Sequence, residues 1–130
     1  MQQEALTGKK ILIADDDYYN IYALNAALED FGLDIITVSN GLEAVNLVVA
    51  GDSNFDIVLM DIMMPEMDGF EAMRAIRSKG FNSLPIIALT AKAMKGDIDK
   101  CLEAGASDYM SKPIDVARLI DMMAKWLNKS

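Results

Sequence analysis

The centre of the chain carries the segment that decides the fold: Leu59-Met60-Asp61-Ile62-Met63-Met64-Pro65-Glu66-Met67-Asp68-Gly69. The apolar residues 57–60 predict a short buried strand, and Asp61 stands at the end of it. A proline, two acidic residues and a glycine then predict a turn that leads into a helix. The segment therefore presents one carboxylate, that of Asp61, at the exit of a strand.

The same alternation of a short strand and a helix occurs along the whole chain. Strands are predicted at 11–14, 35–38, 57–60, 85–89 and, more weakly, 107–111, and residues with helical spacing follow each of them. Such alternation indicates a parallel sheet with helices on both faces, and five strands are too few for an eight-stranded barrel. We therefore predict an α/β fold that is flavodoxin-like, with a doubly wound five-stranded sheet in the order 2-1-3-4-5 and five helices.

Length and composition limit the domain organisation and the class of partner. The 130 residues, 52% hydrophobic and 25% charged, suit a single domain over 1–130 with an ordered core over about 8–128. A net charge of −8 would be repelled by nucleic acid, so we expect no direct nucleic-acid binding. No apolar run approaches the roughly 20 residues of a membrane span, and the start lacks the features of a signal peptide. With Cys101 as its one cysteine, the chain is expected to be cytoplasmic, without membrane insertion.

Four further polar residues are predicted to reach the edge of the sheet at which Asp61 lies. Asp15 and Asp16 follow the first strand, Thr90 ends the fourth and Lys112 follows the fifth. In this fold ligands bind beyond the carboxyl ends of the strands, at the switch point between strands one and three. Mg²⁺ would relieve the repulsion among the carboxylates, while a hydroxyl and an ammonium bind the oxygens of an anion. This combination predicts a phosphoryl-transfer site with an aspartate nucleophile.

Each of these residues also has an ordinary structural interpretation. The acids at 15–17 suit the start of a helix, where they cap backbone amides and favour the helix dipole. Asp61, before a turn with proline and glycine, could serve only as a turn former. Thr90 and Lys112 individually indicate little. Their joint placement at successive strand ends is what favours a site.

Other chemical motifs are incomplete. Residues 15–20 resemble the start of an EF-hand loop, but Asn20 replaces its glycine and Ala26 its terminal glutamate. A haloacid-dehalogenase-type phosphatase would carry an aspartate where Met63 stands. The chain has no Gly-rich phosphate loop, no C-x-x-C pair and no histidine, which excludes a His-dependent triad. A small flavodoxin-like enzyme or cofactor carrier therefore has no motif in its favour.

Four motifs stand along the chain in the order Ile11-Leu12-Ile13-Ala14-Asp15-Asp16-Asp17, the segment 59–69, Leu89-Thr90-Ala91 and Ser111-Lys112-Pro113. Together they resemble the CheY-like receiver domain of two-component response regulators, and the resemblance runs from the first strand to the last helix. It implies a phosphoacceptor signalling module rather than an enzyme, one that takes part in its own phosphotransfer and dephosphorylation. Histidine kinase activity would belong to it only within a longer hybrid chain. The alternative is a pseudo-receiver that binds proteins without being phosphorylated.

The resemblance also implies how a phosphoryl group and a metal would be held at Asp61. Asp61 would accept the phosphoryl group from a phosphohistidine of a histidine kinase or a histidine phosphotransfer domain. Asp16, Asp61 and the backbone carbonyl of Met63 would bind Mg²⁺, or alternatively Mn²⁺, directly, and Asp15 would act through a metal-bound water. The downstream protein that reads the signal is left unknown.

Further roles follow from the other matching positions. Thr90 and the backbone N–H of Ala91 would bind phosphate oxygens, and Lys112 would pair with the phosphate. A cis peptide bond between Lys112 and Pro113 would aim the lysine inward. Tyr109 matches an aromatic switch that turns inward as Thr90 moves, which repacks the face formed by the fourth helix, the fifth strand and the fifth helix. The alternative for Tyr109 is an ordinary half-buried tyrosine.

Two positions beside the site are not settled by the resemblance. Met63 and Lys92 lie two residues beyond Asp61 and Thr90, where the family varies. We expect them to affect how fast water reaches an acyl phosphate, so the lifetime of that species is left open.

The wider context is also open. A second apolar row on the last helix is either part of a broad core stripe or the face of a phosphorylation-dependent homodimer. Segments at 8–10, 20–24 and 90–97 look like receivers at the C-terminal end of hybrid histidine kinases, so a stand-alone regulator and an excised piece of a longer chain are both consistent with the sequence. The residues of the apolar row are Leu119, Met122 and Trp126.

Overall fold

The computed structural model of the protein describes residues 6–51, 54–91 and 94–128. In these ranges each of five strands is followed by an α-helix, as predicted, and a short 3₁₀ turn at Glu29–Phe31 extends the first helix. No helix among these residues is long and apolar enough to cross a membrane. The elements are β1 (Lys10–Ala14), α1 (Tyr18–Leu28), β2 (Asp34–Val38), α2 (Gly41–Ala50), β3 (Ile57–Asp61), α3 (Gly69–Ser78), β4 (Ile86–Thr90), α4 (Lys95–Ala104), β5 (Asp108–Ser111) and α5 (Val116–Leu127).

The five strands form one parallel sheet in the order β2-β1-β3-β4-β5, which confirms the predicted topology. The pairing register places Asp61 opposite Leu89 and Thr90 opposite Ser111. Because all the strands are parallel, their carboxyl ends lie along one edge of the sheet. The residues that follow β1, β3, β4 and β5 are therefore neighbours in space although they are far apart in the chain.

An apolar layer covers each face of the sheet. In β3, Ile57 and Leu59 belong to the layer that packs under α1 and α5, while Val58 and Met60 belong to the layer under α2, α3 and α4. Successive side chains of a strand point to opposite faces, so a strand that is covered on both faces needs an apolar residue at every position. This explains the unbroken apolar run that leads to Asp61.

The buried face of α2 differs from the one that the sequence suggested. Helical spacing led us to expect Leu42, Val45, Val48 and Val49 in the core. In the structure Leu42 is 44% exposed and Val49 is 37% exposed, and Ala44 is buried with Val45 and Val48. The difference is a rotation of the apolar stripe along the helix, which several sets of residues at helical spacing would satisfy equally.

The apolar row of α5 is mostly core. Leu119 is fully buried, and Met122 and Trp126 are half-buried against the same layer. The indole Nε1 of Trp126 donates a hydrogen bond of 2.9 Å to Asp108 Oδ2, which ties the helix to β5. Of the two interpretations of this row, the broad core stripe is the one that the structure supports.

Arg77 lies in a different environment from the solvent-facing one that its helix position suggested. Its guanidinium donates hydrogen bonds to the carbonyl oxygen of Gly105 at 2.7 and 2.9 Å, and to those of Phe81 and Leu84 at 2.6 and 2.7 Å. Burial lowers the pKa of Arg77. Arg77 therefore joins α3 to the loops that precede β4 and β5, whereas Arg74 on the same helix is exposed.

Candidate functional site

Three carboxylates meet at the carboxyl edge of β1 and β3. Asp15 and Asp16 follow β1, Asp61 ends β3, and one oxygen of each carboxylate lies within 4.8 Å of the others. Asp15 is fully buried and Asp61 is 4% exposed, whereas Asp16 is exposed. The adjacency of β1 and β3 thus brings together the acids that the sequence predicted to converge.

Hydrogen bonds from the start of α1 hold the Asp15 carboxylate. Its Oδ1 accepts a hydrogen bond of 2.9 Å from the backbone N–H of Asp17, and its Oδ2 accepts one from Nδ2 of Asn20. The carboxylate of Asp17 in turn caps α1 through the backbone N–H groups of Tyr19 and Asn20. The acids at 15–17 therefore have different roles: Asp17 caps the helix, and Asp15 belongs to the site.

Asn20 is a site residue that the sequence analysis did not assign. Helical side chains point back towards the N-terminus of their helix, so a polar residue in the first turn of α1 can reach an acid that precedes it. The spacing of five residues between Asp15 and Asn20 was the available signal.

Lys112 reaches the site from the end of β5. Its Nζ lies 3.2 Å from Asp61 Oδ1 and 3.4 Å from Asp15 Oδ2. The bond between Lys112 and Pro113 is cis, as the resemblance implied, and the backbone N–H of Lys112 donates a hydrogen bond of 2.8 Å to the carbonyl oxygen of Thr90. One ammonium group is therefore placed between the two buried carboxylates.

The charges of the site shift the pKa values of two groups. The pKa of Asp61 is raised from 3.8 to about 6, first by burial and then by the charge of Asp15, against the lowering effect of Lys112. Burial acts to lower the pKa of Lys112, but the charges of Asp61 and Asp15 outweigh it and raise that pKa overall. The ionised form of Asp61 is therefore costly even though Lys112 stays protonated beside it. A site of this kind favours the binding of a further cation.

The oxygen donors fit a hard divalent cation. Mg²⁺ prefers one or two carboxylates together with water and phosphate oxygens, and the cluster offers both exposed and buried carboxylate oxygens. Asp16 is the exposed member of the cluster, so an ion could enter the site from solvent on its side. The residues present therefore suit Mg²⁺, and the charge repulsion at Asp61 is the cost that such an ion would relieve.

A glycine holds the backbone of Asp61 in place. A side chain at Gly69 would put its Cβ 2.3 Å from the carbonyl oxygen of Asp61 and 2.8 Å from Cα of Ile62. The N–H of Gly69 donates a hydrogen bond of 2.8 Å to the carbonyl oxygen of Ile62, and Asp68 caps α3 through the N–H of Glu71. Only glycine permits this close approach, so the turn that the sequence identified also fixes the position of the acid.

A cavity opens at the turn that follows Asp61. It has a volume of about 340 Å³ and lies between the turn after β3 and the end of β4. Thr90 is 7% exposed and Met63 is 72% exposed, and Ala91 is exposed. The cavity is lined by Ile62, Met63, Phe70, Thr90, Ala91, Asp97 and Lys100.

Tyr109 and Lys92 are the remaining predicted residues. Tyr109 of β5 is half-buried and packs against the apolar layer under α2, α3 and α4. This position is compatible with both the switch and the ordinary structural interpretation. Lys92 lies outside the residues that the structure describes.

Comparison with known proteins decides between the α/β families that this fold allows. Residues 11–124 match the family model described as the response regulator receiver domain. The chain belongs to the receiver domain family. As a receiver domain it is a signalling module, which agrees with the predicted fold class and with the predicted phosphorelay context.

Two relatives of this receiver domain differ in how much of their length the chain covers. The sensor protein GacS of Pseudomonas syringae is 40% identical over 121 residues, which cover 90% of this chain but 13% of GacS. The polar-differentiation response regulator DivK of Brucella anthropi is 36% identical over 120 residues, which cover 92% of this chain and 96% of DivK. The receiver domain therefore spans a small part of one relative and nearly all of the other.

Solved structures agree with the assignment. The receiver domain of the sensor histidine kinase PA1611 from Pseudomonas aeruginosa, with a magnesium ion coordinated in its active-site cleft, is 35% identical with a TM-score of 0.86, and covers 95% of this chain and 100% of its own. The receiver domain of Ssk1 from Saccharomyces cerevisiae, in complex with the histidine phosphotransfer protein Ypd1, is 26% identical with a TM-score of 0.85, and covers 93% of this chain and 90% of its own. Both share the fold of this chain.

Proposed function

We propose that this receiver domain is a phosphoacceptor of a two-component phosphorelay, in which Asp61 takes a phosphoryl group from a phosphohistidine. The observation that carries the proposal is the placement of one buried carboxylate, Asp61, against the ammonium of Lys112 and the carboxylates of Asp15 and Asp16. A pseudo-receiver would not need this set to be intact.

The residues of the site support an in-line transfer. An oxygen of the Asp61 carboxylate attacks the phosphorus, the bond between phosphorus and the histidine nitrogen breaks, and the imidazole of the partner leaves with that electron pair. Lys112 offsets the negative charge of the phosphoryl group. The hydroxyl of Thr90 and the backbone N–H of Ala91 bind phosphoryl oxygens. With a pKa of about 6, Asp61 is ionised and nucleophilic at neutral pH.

Mg²⁺ is the proposed cofactor, and Mn²⁺ is an alternative with the same ligand preference. Asp16, Asp61 and the backbone carbonyl of Met63 would hold the ion directly, and Asp15, already engaged by Asp17, Asn20 and Lys112, would act through a water. When bound, the ion supplies charge neutralisation of the transferring phosphoryl group. The magnesium ion in the PA1611 receiver domain supports this choice.

The proposed donor is a histidine kinase or a histidine phosphotransfer domain that approaches the carboxyl edge of the sheet. Tyr18, Tyr19 and Tyr22 are 82%, 87% and 71% exposed on α1, the helix that begins directly after the acidic residues. Exposed aromatic side chains beside a reactive group suit contact with a protein donor. The complex of the Ssk1 receiver domain with Ypd1 supports a partner of this class.

The output belongs to the same proposal. Phosphorylation would draw Thr90 towards the phosphate and let Tyr109 turn inward, which changes the face formed by α4, β5 and α5 for a downstream protein. The homodimer hypothesis loses part of its support, because Leu119 of the apolar row is buried. Size-exclusion runs with and without a phosphate mimic test it directly.

The proposal also includes the extent and the location of the domain. Residues 1–130 would form a single domain in the cytoplasm, where the free, buried Cys101 would stay reduced.

Labelling with a small phosphodonor tests the function. Incubation with acetyl phosphate and Mg²⁺ should add the mass of one phosphoryl group to the intact protein, and Asp61→Ala should abolish the addition. Asp68→Asn is a matched control in the same loop, because asparagine caps α3 as well as aspartate does. Equal labelling of Asp61→Ala would reject the assignment, and no labelling of the parent protein would favour the pseudo-receiver.

A further inference from the structure

The methionines that the structure describes differ sharply in exposure. Met63 is 72% exposed and Met94 is 69% exposed. Peroxides oxidise accessible thioethers first, because the sulfur must meet the oxidant directly. Met63 and Met94 are therefore the thioethers that an oxidant reaches before the buried ones, which are Met60, Met73, Met110 and Met123.

Only the first of these two exposed methionines lines the cavity beside the proposed phosphoacceptor. Met63 lines that cavity together with Thr90 and Ala91, which are proposed to bind phosphoryl oxygens. Met94 is the N-cap residue of α4 and is absent from the described lining of the cavity. The chain thus offers two thioethers of nearly equal exposure, one at the site and one away from it.

We propose that the Met63 thioether is a peroxide-sensitive regulatory site, whose oxidation to the sulfoxide shortens the lifetime of phosphorylated Asp61. The proposal rests on the phosphoacceptor function above. The sulfur lone pair attacks one oxygen of hydrogen peroxide, a sulfur–oxygen bond forms and the oxygen–oxygen bond breaks. The second oxygen leaves as water after proton transfer, so the sulfur loses two electrons and the peroxide gains them. Methionine sulfoxide reductases reverse the change.

The consequence follows from what else lines the cavity. Ile62 and Phe70 line the cavity together with Met63, so this apolar part of the lining binds water weakly, in contrast to the part formed by Asp97 and Lys100. A sulfoxide oxygen is a strong hydrogen-bond acceptor and would hold water in this cavity. Hydrolysis of an acyl phosphate needs a water that can attack the phosphorus, so a better hydrated wall speeds the loss of the phosphoryl group.

The experiment compares the decay of the phosphorylated protein before and after oxidation. The full chain is treated with hydrogen peroxide, and peptide mass spectrometry measures oxidation at each methionine. Both forms are then labelled with acetyl phosphate and Mg²⁺, the donor is removed, and the remaining acyl phosphate is followed with time. Oxidation should accelerate the decay by about threefold to tenfold, the size of effect that one polar contact has on a barrier.

Two leucine variants locate the effect. Met63→Leu should lose the response to peroxide, whereas Met94→Leu should keep it. Met63→Gln, which places a polar group in the cavity without an oxidant, should decay faster than Met63→Leu. Circular dichroism melting of the oxidised protein checks that the fold is retained.

The outcomes separate this inference from the proposed function. A parent protein that takes no label before oxidation overturns both. A parent protein that labels normally but decays at an unchanged rate after Met63 is oxidised overturns the inference alone. Equal acceleration in oxidised Met63→Leu also overturns it, because the effect would then arise elsewhere.

Discussion

Replacing Asp61 with asparagine should stabilise the metal-free domain at neutral pH. The carboxylate of Asp61 is 4% exposed and shares its surroundings with the fully buried carboxylate of Asp15. Lys112 lies 3.2 Å from the first and 3.4 Å from the second, so one ammonium serves two acids. Asparagine has the shape of aspartate without its charge, so the substitution removes the repulsion and keeps the packing.

The pKa of Asp61 sets the size and the pH window of the effect. Its value in the folded protein is raised from 3.8 to about 6, so between these values the folded chain holds a proton that the unfolded chain has released. The stability that the protonated Asp61 contributes is fully present below its pKa in the unfolded chain. It is lost as the pH rises through its pKa in the folded protein. At 1.36 kcal/mol per pKa unit, the raised pKa of Asp61 costs stability on the order of 3 kcal/mol at pH 8, where the carboxylate is ionised, and roughly half as much at pH 5.

Urea unfolding with EDTA at pH 5 and pH 8, followed by the fluorescence of Trp126, measures this cost. With a typical dependence of about 2 kcal/mol per molar urea, the midpoint of Asp61→Asn should lie about 1.5 M above that of the parent at pH 8, and about half as far above it at pH 5. Asp16→Asn removes the same charge from an exposed member of the cluster and should change stability by less than about 0.5 kcal/mol. Added Mg²⁺ should narrow the gap, because the ion stabilises the parent by mass action.

Two results would refute the reasoning. Asp61→Asn could prove less stable than the parent at pH 8 without metal, which would mean that the ionised carboxylate is a net stabilising group. Its advantage could also be the same at pH 5 and pH 8, which would mean that it does not come from the titration of Asp61.

Three further predictions concern the frame around the site and its partner. Arg77→Lys should lower the free energy of unfolding by about 2–4 kcal/mol, because carbonyl oxygens of two loops lose their hydrogen-bond donor, whereas Arg74→Lys at an exposed position should change it by less than about 0.5 kcal/mol. Equal effects of the two substitutions in urea unfolding would contradict the assigned contacts. Gly69→Ala should destabilise the protein by about 2–4 kcal/mol and slow the labelling of Asp61 by acetyl phosphate, because the new Cβ would clash with the backbone of Asp61. Unimpaired stability and labelling would show that the loop can move aside. Tyr19→Ala should slow transfer from a phosphorylated protein donor by about tenfold and leave labelling by acetyl phosphate unchanged, whereas equal slowing of both would place Tyr19 in the chemistry rather than in docking.

Much of the site could be predicted from the sequence because its parts lie at strand ends. Asp15, Asp61 and Thr90 stand at the ends of apolar runs and Lys112 follows the weaker strand β5, and a parallel sheet must bring the ends of its strands to one edge. Asn20 could not be assigned in the same way. Its role depends on the direction of one helical side chain towards Asp15, which residue spacing allows but does not require.

The helix faces were less predictable than the strands. A strand buried on both sides, such as β3, leaves no choice of face, and its residues 57–60 before Asp61 are all apolar as expected. In α2 the apolar residues cover more than one possible stripe, so Leu42 and Val49 were expected inside and lie outside. Arg77 was expected in solvent because it is charged, yet its long side chain reaches carbonyls of two loops.

The sequence by itself determined the type and order of the elements, the acids at the ends of β1 and β3, and the glycine turn after Asp61. These features are local, because the period of apolar residues and the permitted backbone angles are properties of short segments. Only the tertiary structure decided that Asp15 is held by Asn20 and that Lys112 lies between two carboxylates. It also decided that Met63 and Thr90 line the same cavity. Those contacts join residues that are separated in the chain, and they exist only because the order of the strands and the packing of the loops bring the segments together.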